Sequence, residues 1–190
     1  NYGAALNMLT MGIDSAMNTY FHKMRGLSVF GKHIHYLVSM LFGVILAPKI
    51  EYEIWIDNVH TKKQVCEISF GNGNFLGGNL RFAELANPMD GKGLVSLVIK
   101  GKQNVLKNVY VANVLKRKKQ KKIEHVMEKK ESYHVRIARS DGKKMQVNFD
   151  GEMVENIRIL EARIIKQGLK LVVPQGVRPE CFQEQEEVNG

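Results

Sequence analysis

A chain of 190 residues, 44% hydrophobic and 25% charged, is long enough to bury a core of its own and too apolar to stay disordered. Its formal net charge of +9 favours polyanions in general, nucleic acid or an anionic bilayer alike, without choosing between them. Two cysteines, Cys66 and Cys181, exclude a disulfide framework, belong to no spaced metal-ligand motif, and fit a reducing cytosol.

In chain order, Ala4 to Leu9 read as a short buried strand, Gly12 as a turn, and the next segment as a helix capped by Asp14 or Ser15. Ile34, Leu37, Val38, Leu41, Val44 and Ile45 recur at helical spacing until Pro48, which predicts a second helix over 32–47. The apolar run there spans 14 residues, short of the roughly 20 needed to cross a bilayer, so it reads as a buried helix. The N-terminus shows no export signal, and Asn1, an unusual first residue, points to a processed or partial chain.

From Ile50 the period becomes two: Ile50, Tyr52, Ile54 and Ile56 alternate with Glu51, Glu53, Trp55 and Asp57, as in a half-buried strand. Further strands are predicted at 64–70, 93–100, 132–139, 144–149, 156–165 and 169–173, with Ser140-Asp141-Gly142 as a hairpin turn. One amphipathic helix, over 103–116, interrupts them and leads into a basic run. The expected architecture is mainly β, a two-layer β-sandwich-like domain with a few peripheral helices. It fills residues 1–175 as one domain, with a helical block over about 14–47, strands from about 50, and an acidic tail over 176–190.

Three segments can carry chemistry, and each has a plain turn reading beside it. Asn72-Gly73-Asn74-Phe75-Leu76-Gly77-Gly78-Asn79 follows a strand and allows close backbone approach to a ligand, although it lacks P-loop spacing and also suits a glycine-rich hairpin. Asn87 to Gly93 places Asp90 in a tight turn where a carboxylate and freed carbonyls can collect a hard cation, while an Asp-Gly turn explains the same letters. Asp150-Gly151-Glu152 ends a strand with two carboxylates able to orient and deprotonate a hydroxyl, while a turn followed by a surface Glu explains the same letters.

In this order the segments resemble the C-terminal domain of the soluble diacylglycerol and sphingosine kinase superfamily, especially bacterial diacylglycerol kinase B and YegS-like members. The resemblance runs from Asn7 with Gly12-Ile13-Asp14-Ser15, through Gly31-Lys32 and Tyr36, Asn72-Gly73 with Gly77-Gly78, Pro88 with Asp90-Gly91, and Asp150-Gly151-Glu152, to Val173-Pro174. It departs from the family where Met89 and Gly93 stand in place of an acid and a leucine, and no Gly-Gly-Asp-Gly-Thr loop is present. It implies Glu152 as general base assisted by Asp150, a ligand-facing turn at Asn72, Gly73, Gly77 and Gly78, and Mg²⁺ held by Asp90 with carbonyls of Asn87 and Lys92. The ATP site would lie mostly on a preceding nucleotide-binding domain absent from this chain, so the chain alone is expected to be inactive.

The implied partners are a lipid such as diacylglycerol, the missing nucleotide-binding domain, and an anionic membrane met through Lys116, Arg117, Lys118, Lys119, Lys121 and Lys122. A solvated helix end accounts for the same run. A homodimer is an allowed assembly, and the expected location is cytoplasmic and peripheral to the membrane. The competing reading is a non-catalytic module binding membrane or nucleic acid through residues 116–122. Nucleic acid is disfavoured because the run lacks interleaved aromatics for base stacking.

Overall fold

A computed structural model describes residues 3–23, 38, 50–73, 75–76, 80–81, 86–99 and 127–170. The chain opens with β1 (Met8–Gly12) and α1 (Ile13–Lys23). It continues through β2 (Ile50–Ile56), β3 (Val59–Gly71), the short pair β4 (Phe75–Leu76) and β5 (Leu80–Arg81), and β6 (Gly93–Ile99). It closes with β7 (Met127–Ser132), β8 (His134–Arg139), β9 (Met145–Phe149), β10 (Glu152–Ile157) and β11 (Ile159–Arg163).

Alternation builds β2 as the sequence predicts. Tyr52, Ile54 and Ile56 are buried while Glu51, Glu53 and Trp55 lie on the outer side. On that side Trp55 stacks on His60 at 4.7 Å between ring centroids, and the Arg136 guanidinium lies 5.2 Å from the indole. One core cluster of the described residues joins Ile54, Ile68, Phe70, Leu97, Ile137 and Val147 with their neighbours.

All pairings are antiparallel, and one path runs β10-β9-β1-β3-β2-β8-β11. The register of β3 explains the shape. Val65 faces Ile50 of β2 on one edge and Ile99 of β6 on the other, while Glu67 to Gly71 face β1 and β6. Thus β1 and β2 succeed each other along the same edge of β3. On the far side β7 pairs with β6, then runs through Tyr133 into β8, which pairs with β2. The circuit β3, β6, β7–β8, β2 makes a nearly closed, barrel-like sheet around the core, rather than the expected two-layer sandwich.

Several local expectations change for physical reasons. Ser140-Asp141-Gly142 is a turn, with Gly142 N–H donating to Arg139 O at 3.1 Å and Gly142 at φ 67°, yet β8 and β9 pair with different neighbours. It therefore crosses between two parts of the sheet. The tight hairpin is at Asp150-Gly151, whose φ values of 50° and 101° give the twist that a two-residue connection needs. The strand expected over 156–165 divides at Arg158 into β10 and β11, which pair with β9 and β8. β10 carries an irregularity between Val154 and Ile157, with Asn156 at φ 66°. Leu169 and Lys170 are not in a strand, and 171–173 lie outside the described residues. So do the helix expected over 32–47, save Val38, the helix over 103–116, the basic run 116–122, and the tail 176–190.

The β7–β8 junction is held by a residue that sequence patterning assigned only to the polar side of a strand. Asp57, at φ 53° in the turn between β2 and β3, accepts through Oδ1 from the Ser132 hydroxyl at 3.0 Å, Tyr133 N–H at 3.0 Å and His134 N–H at 3.2 Å. Its own N–H donates to His134 O at 2.8 Å. Burial pushes this carboxyl up, but the donors from Tyr133, Ser132 and His134 more than reverse it, leaving the pKa below its ordinary 3.8. A depressed acid stabilises the fold above its unfolded pKa, and that contribution is lost as pH falls through the lower folded value. Asp57→Ala, which forfeits three accepted bonds and strains a positive φ, is expected to cost about 3 kcal/mol. Asp57→Asn, which tolerates that φ, should cost about 1 kcal/mol. Urea denaturation near neutral pH measures both, and the wild-type advantage over Asp57→Asn should shrink as pH falls below the ordinary 3.8 and through the lower folded value.

Candidate functional site

The strand registers gather the sequence landmarks on one rim of the sheet. Met8 at the start of β1 faces Gly71 at the end of β3, Leu9 faces Phe149 at the end of β9, and Gly71 faces Leu94 near the start of β6. Four segments therefore meet at this end: residues 6–8, Asn72-Gly73, the turn 87–92, and the hairpin 150–152.

Asp150 ties the rim together. Its Oδ2 accepts from Leu6 N–H at 2.6 Å, its Oδ1 from Met8 N–H at 2.7 Å, and Asn7 N–H lies 3.1 and 3.3 Å from the two oxygens. Gly151 N–H donates to Asn148 Oδ1 at 2.8 Å, and Asn18 Nδ2 of α1 donates to Gly151 O at 3.0 Å. The Asn7 carbonyl in turn accepts from Asn72 N–H at 2.7 Å and Gly73 N–H at 3.3 Å. A side chain at Gly73 would collide with the Asn7 amide oxygen, so glycine here serves close approach. Glu152 begins β10 opposite Phe149, with its side chain exposed. Asp150 is thus a clamp on main-chain donors, and Glu152 is the free carboxylate of the pair.

The other predicted residues fall as follows. Asn72 Oδ1 is a buried acceptor with no partner among the described residues, and Gly77 and Gly78 lie outside them. In the 87–92 turn, Asn87 Oδ1 accepts from Met89 N–H at 3.0 Å, Asn87 O from Asp90 N–H at 3.3 Å, and Asp90 Oδ1 from Lys92 N–H at 2.7 Å. The Lys92 ammonium pairs with Glu131 at 2.7 Å. This leaves one carboxylate and main-chain carbonyls for Mg²⁺, with Met89 exposed where a second acid would help, and no trio of His, Cys, Asp or Glu gathers for a metal among the described residues. That donor set is thin for a hard cation that favours several oxygens, so no chemical step is routed through a metal here.

Beneath α1 lies a feature that sequence reading missed. Asn148, Thr10, Ser69 and Ser96 are successive cross-strand partners on β9, β1, β3 and β6, and all are buried. The Asp14 Oδ2 accepts from Asn148 Nδ2 at 2.6 Å and from the Thr10 hydroxyl, which joins this row to the first turn of α1. Glu67, only 1% exposed, accepts Asp14 N–H at 2.9 Å on Oε2 and so caps the helix. Glu67 Oε1 and the hydroxyls of Ser69 and Ser96 have no partner. The signal in the sequence is a glutamate inside the largely apolar Val65 to Phe70. Gly12, at φ 111°, lets β1 press against β3, because any Cβ there would strike the Cys66 carbonyl.

Away from the rim, at the Gly12 end of β1, a cleft of about 360 Å³ opens where β1 and β2 part. Tyr52, Arg139, Lys144 and Gln146 line it, and Glu152 does not. Burial pushes the Tyr52 hydroxyl up to about 12 despite the opposing Arg139 charge, so it remains a neutral phenol. Among the described residues no helix is long and apolar enough to cross a membrane.

Burial, and then the nearby Asp14 charge, push the Glu67 pKa well above its ordinary 4.5, while the N–H donors of Asp14 and Ile13 oppose the shift. A raised acid binds its proton more tightly in the folded chain. Folding is therefore favoured most when Glu67 is protonated in both states, and stability falls as pH rises from 4.5 through the folded value. Glu67→Gln, neutral at every pH, should remove this slope and be the more stable form at about pH 8 while differing little at about pH 4. Urea midpoints across that range test the sign.

No protein-family model matches the chain, and no curated protein matches it significantly. Solved structures do. A protein from Bacillus anthracis str. Sterne assigned as a diacylglycerol kinase superposes with a TM-score of 0.55 at 18% identity, covering 84% of this chain and 50% of that one. A second such structure from the same organism gives 0.54 at 19% identity with the same coverage, and a third diacylglycerol kinase gives 0.50 at 14%, covering 84% and 47%. The chain spans about half the length of these proteins, and its fold is that of the C-terminal half of diacylglycerol kinase-like proteins.

Proposed function

We propose that the chain is the acceptor-side part of an ATP-dependent lipid kinase, in which Glu152 serves a lipid hydroxyl such as that of diacylglycerol. The observation that supports this most is the rim. Asn7, Asn72-Gly73, the Asp90 turn and Asp150-Gly151-Glu152 occur along the sequence in the order of the resemblance, and the registers bring all of them to one end of the sheet.

In this reading the Glu152 carboxylate accepts the proton of the acceptor hydroxyl as that oxygen bonds to the γ-phosphorus, and the bond to the ADP oxygen breaks. Asp150 is a positioning residue, since its oxygens are occupied by main-chain donors. The unpartnered Asn72 Oδ1 offers an acceptor to an incoming hydroxyl. ATP, with the Mg²⁺ that neutralises its phosphates, would be held mainly by a nucleotide-binding half, and the protein would work peripherally on an anionic membrane. Phosphotransfer belongs to the two halves together.

One observation favours a second reading, a domain that keeps the fold without the chemistry: Glu152 is exposed and does not line the cleft beside Tyr52 and Arg139. Kinetics of a protein containing both halves separates the two. Glu152→Gln should lower kcat by about 10²- to 10⁴-fold with little change in KM. Full activity in that variant would favour the non-catalytic domain.

A further inference from the structure

The exposed apolar side chains of the described residues are concentrated. Leu6, Met89, Tyr133, Ile165 and Leu169 are five of the seven large hydrophobic side chains that face solvent, with Met89 74% and Ile165 72% exposed. They follow the rim. Leu6 is fixed by Asp150, Met89 tips the turn before β6, and Tyr133 follows Ser132, which faces Gly93. Residues 164–169 lie alongside. Ile164 N–H donates to Tyr133 O at 2.9 Å, the Lys166 ammonium sits 5.3 Å from the Tyr133 ring centroid, and the Lys166 stem packs over Gly91. Gly168 N–H turns back to Ile165 O at 3.2 Å, which leaves Ile165 and Leu169 on the outside.

Charge accompanies this surface. The same segments carry Lys92, Lys130, Lys166 and Lys170 beside Asp90 and Glu131; Glu131 is paired with Lys92, the adjoining acids Asp57 and Asp150 accept main-chain N–H groups, and Glu152 adds an exposed acid farther along the rim. Single apolar tips on separate turns, with lysines between them, differ from the closely packed, lysine-poor core of a stable protein interface. They suit the boundary of a bilayer, where apolar tips enter the acyl region, lysine stems lie along it, and ammonium groups meet anionic headgroups.

We propose that this rim patch, centred on Met89, Ile165, Tyr133 and Lys166, docks the protein on an anionic bilayer. The inference rests on the lipid-kinase reading for its purpose and names docking residues other than 116–122. It also accounts for orientation. Glu152 lies on the same rim, separated from Tyr133 by the strand sequence β10-β9-β1-β3-β6-β7, so docking through the patch turns the acceptor site toward the lipid surface.

Co-sedimentation with vesicles of phosphatidylcholine, with and without phosphatidylglycerol, tests this at constant salt. Wild-type protein should partition onto the phosphatidylglycerol vesicles. Lys166→Gln should weaken that binding about fivefold, and Met89→Ser combined with Ile165→Ser about tenfold or more. Val59→Ser with Ile159→Ser, the remaining exposed pair, should leave it unchanged. All five positions are exposed, so far-ultraviolet circular dichroism should show intact folds. Unchanged binding in both patch variants, or an equal loss in the Val59/Ile159 control, overturns the proposal. So does a wild-type dimer that Met89→Ser with Ile165→Ser dissociates, which would assign the patch to a second copy of the chain. Phosphotransfer to a short-chain, soluble diacylglycerol by the two-half protein keeps the readings apart. Its absence in wild type defeats the kinase reading, whereas vesicle binding alone judges the patch.

Discussion

The rim depends on one carboxylate receiving the N–H groups of three consecutive residues. Asp150 sits at positive φ in a two-residue hairpin and draws Leu6, Asn7 and Met8 onto the end of β9. Once those donors are satisfied, Asn7 can turn its carbonyl toward Asn72 and Gly73, and the end of β3 is fixed beside the start of β1. An unsatisfied backbone donor at such a place costs about as much as a lost hydrogen bond, so this local geometry determines which side chains emerge around it. Glu152 follows the clamp by two residues, and its backbone position is inherited from it.

A second clamp with the same logic acts on the β7–β8 side. Asp57, also at positive φ, fixes the point where β7 becomes β8 and so lets one continuous run pair with both β6 and β2. The sheet can then curl round its core, and residues distant in sequence, such as Gly91 and Lys166, come side by side. Both clamps are turn aspartates whose charge is held by N–H donors. Glu67 differs: it is buried, proton-retaining, and joined to the first turn of α1. Helix α1 lies against β1, β3 and β9, so this acid links the helix to the face that carries the Asn148, Thr10, Ser69 and Ser96 row.

Much of this was legible in the sequence, for identifiable reasons. Period-two alternation at Ile50 to Ile56 revealed β2, and the landmark order revealed the fold that the solved structures share. Closure of the sheet was not legible, because it depends on which edges of β3 and of the β7–β8 run are used, and alternation reports faces rather than edges. Two Asp-Gly pairs carried the same turn signal, and only tertiary pairing distinguishes the crossing at Asp141-Gly142 from the hairpin at Asp150-Gly151. The site was partly visible. Asp150 stood out as an acid at a strand end, but its donors lie more than 140 residues away, so its role as a clamp could not be read locally. Glu67 is the one acid of β3, and the sequence pattern does not distinguish a buried helix-capping acid there from a polar residue on the outer face.

The central claim is that the Asp150 carboxylate organises the rim as one unit. Amide hydrogen exchange in wild type and Asp150→Asn, a replacement that tolerates the same φ, tests it most directly. The account predicts faster exchange at Leu6, Asn7 and Met8, spreading through the Asn7 carbonyl to Asn72 and Gly73, with β2 and β8 unaffected. Unchanged protection at Asn72 and Gly73 would mean that the rim segments are held independently, and would contradict it.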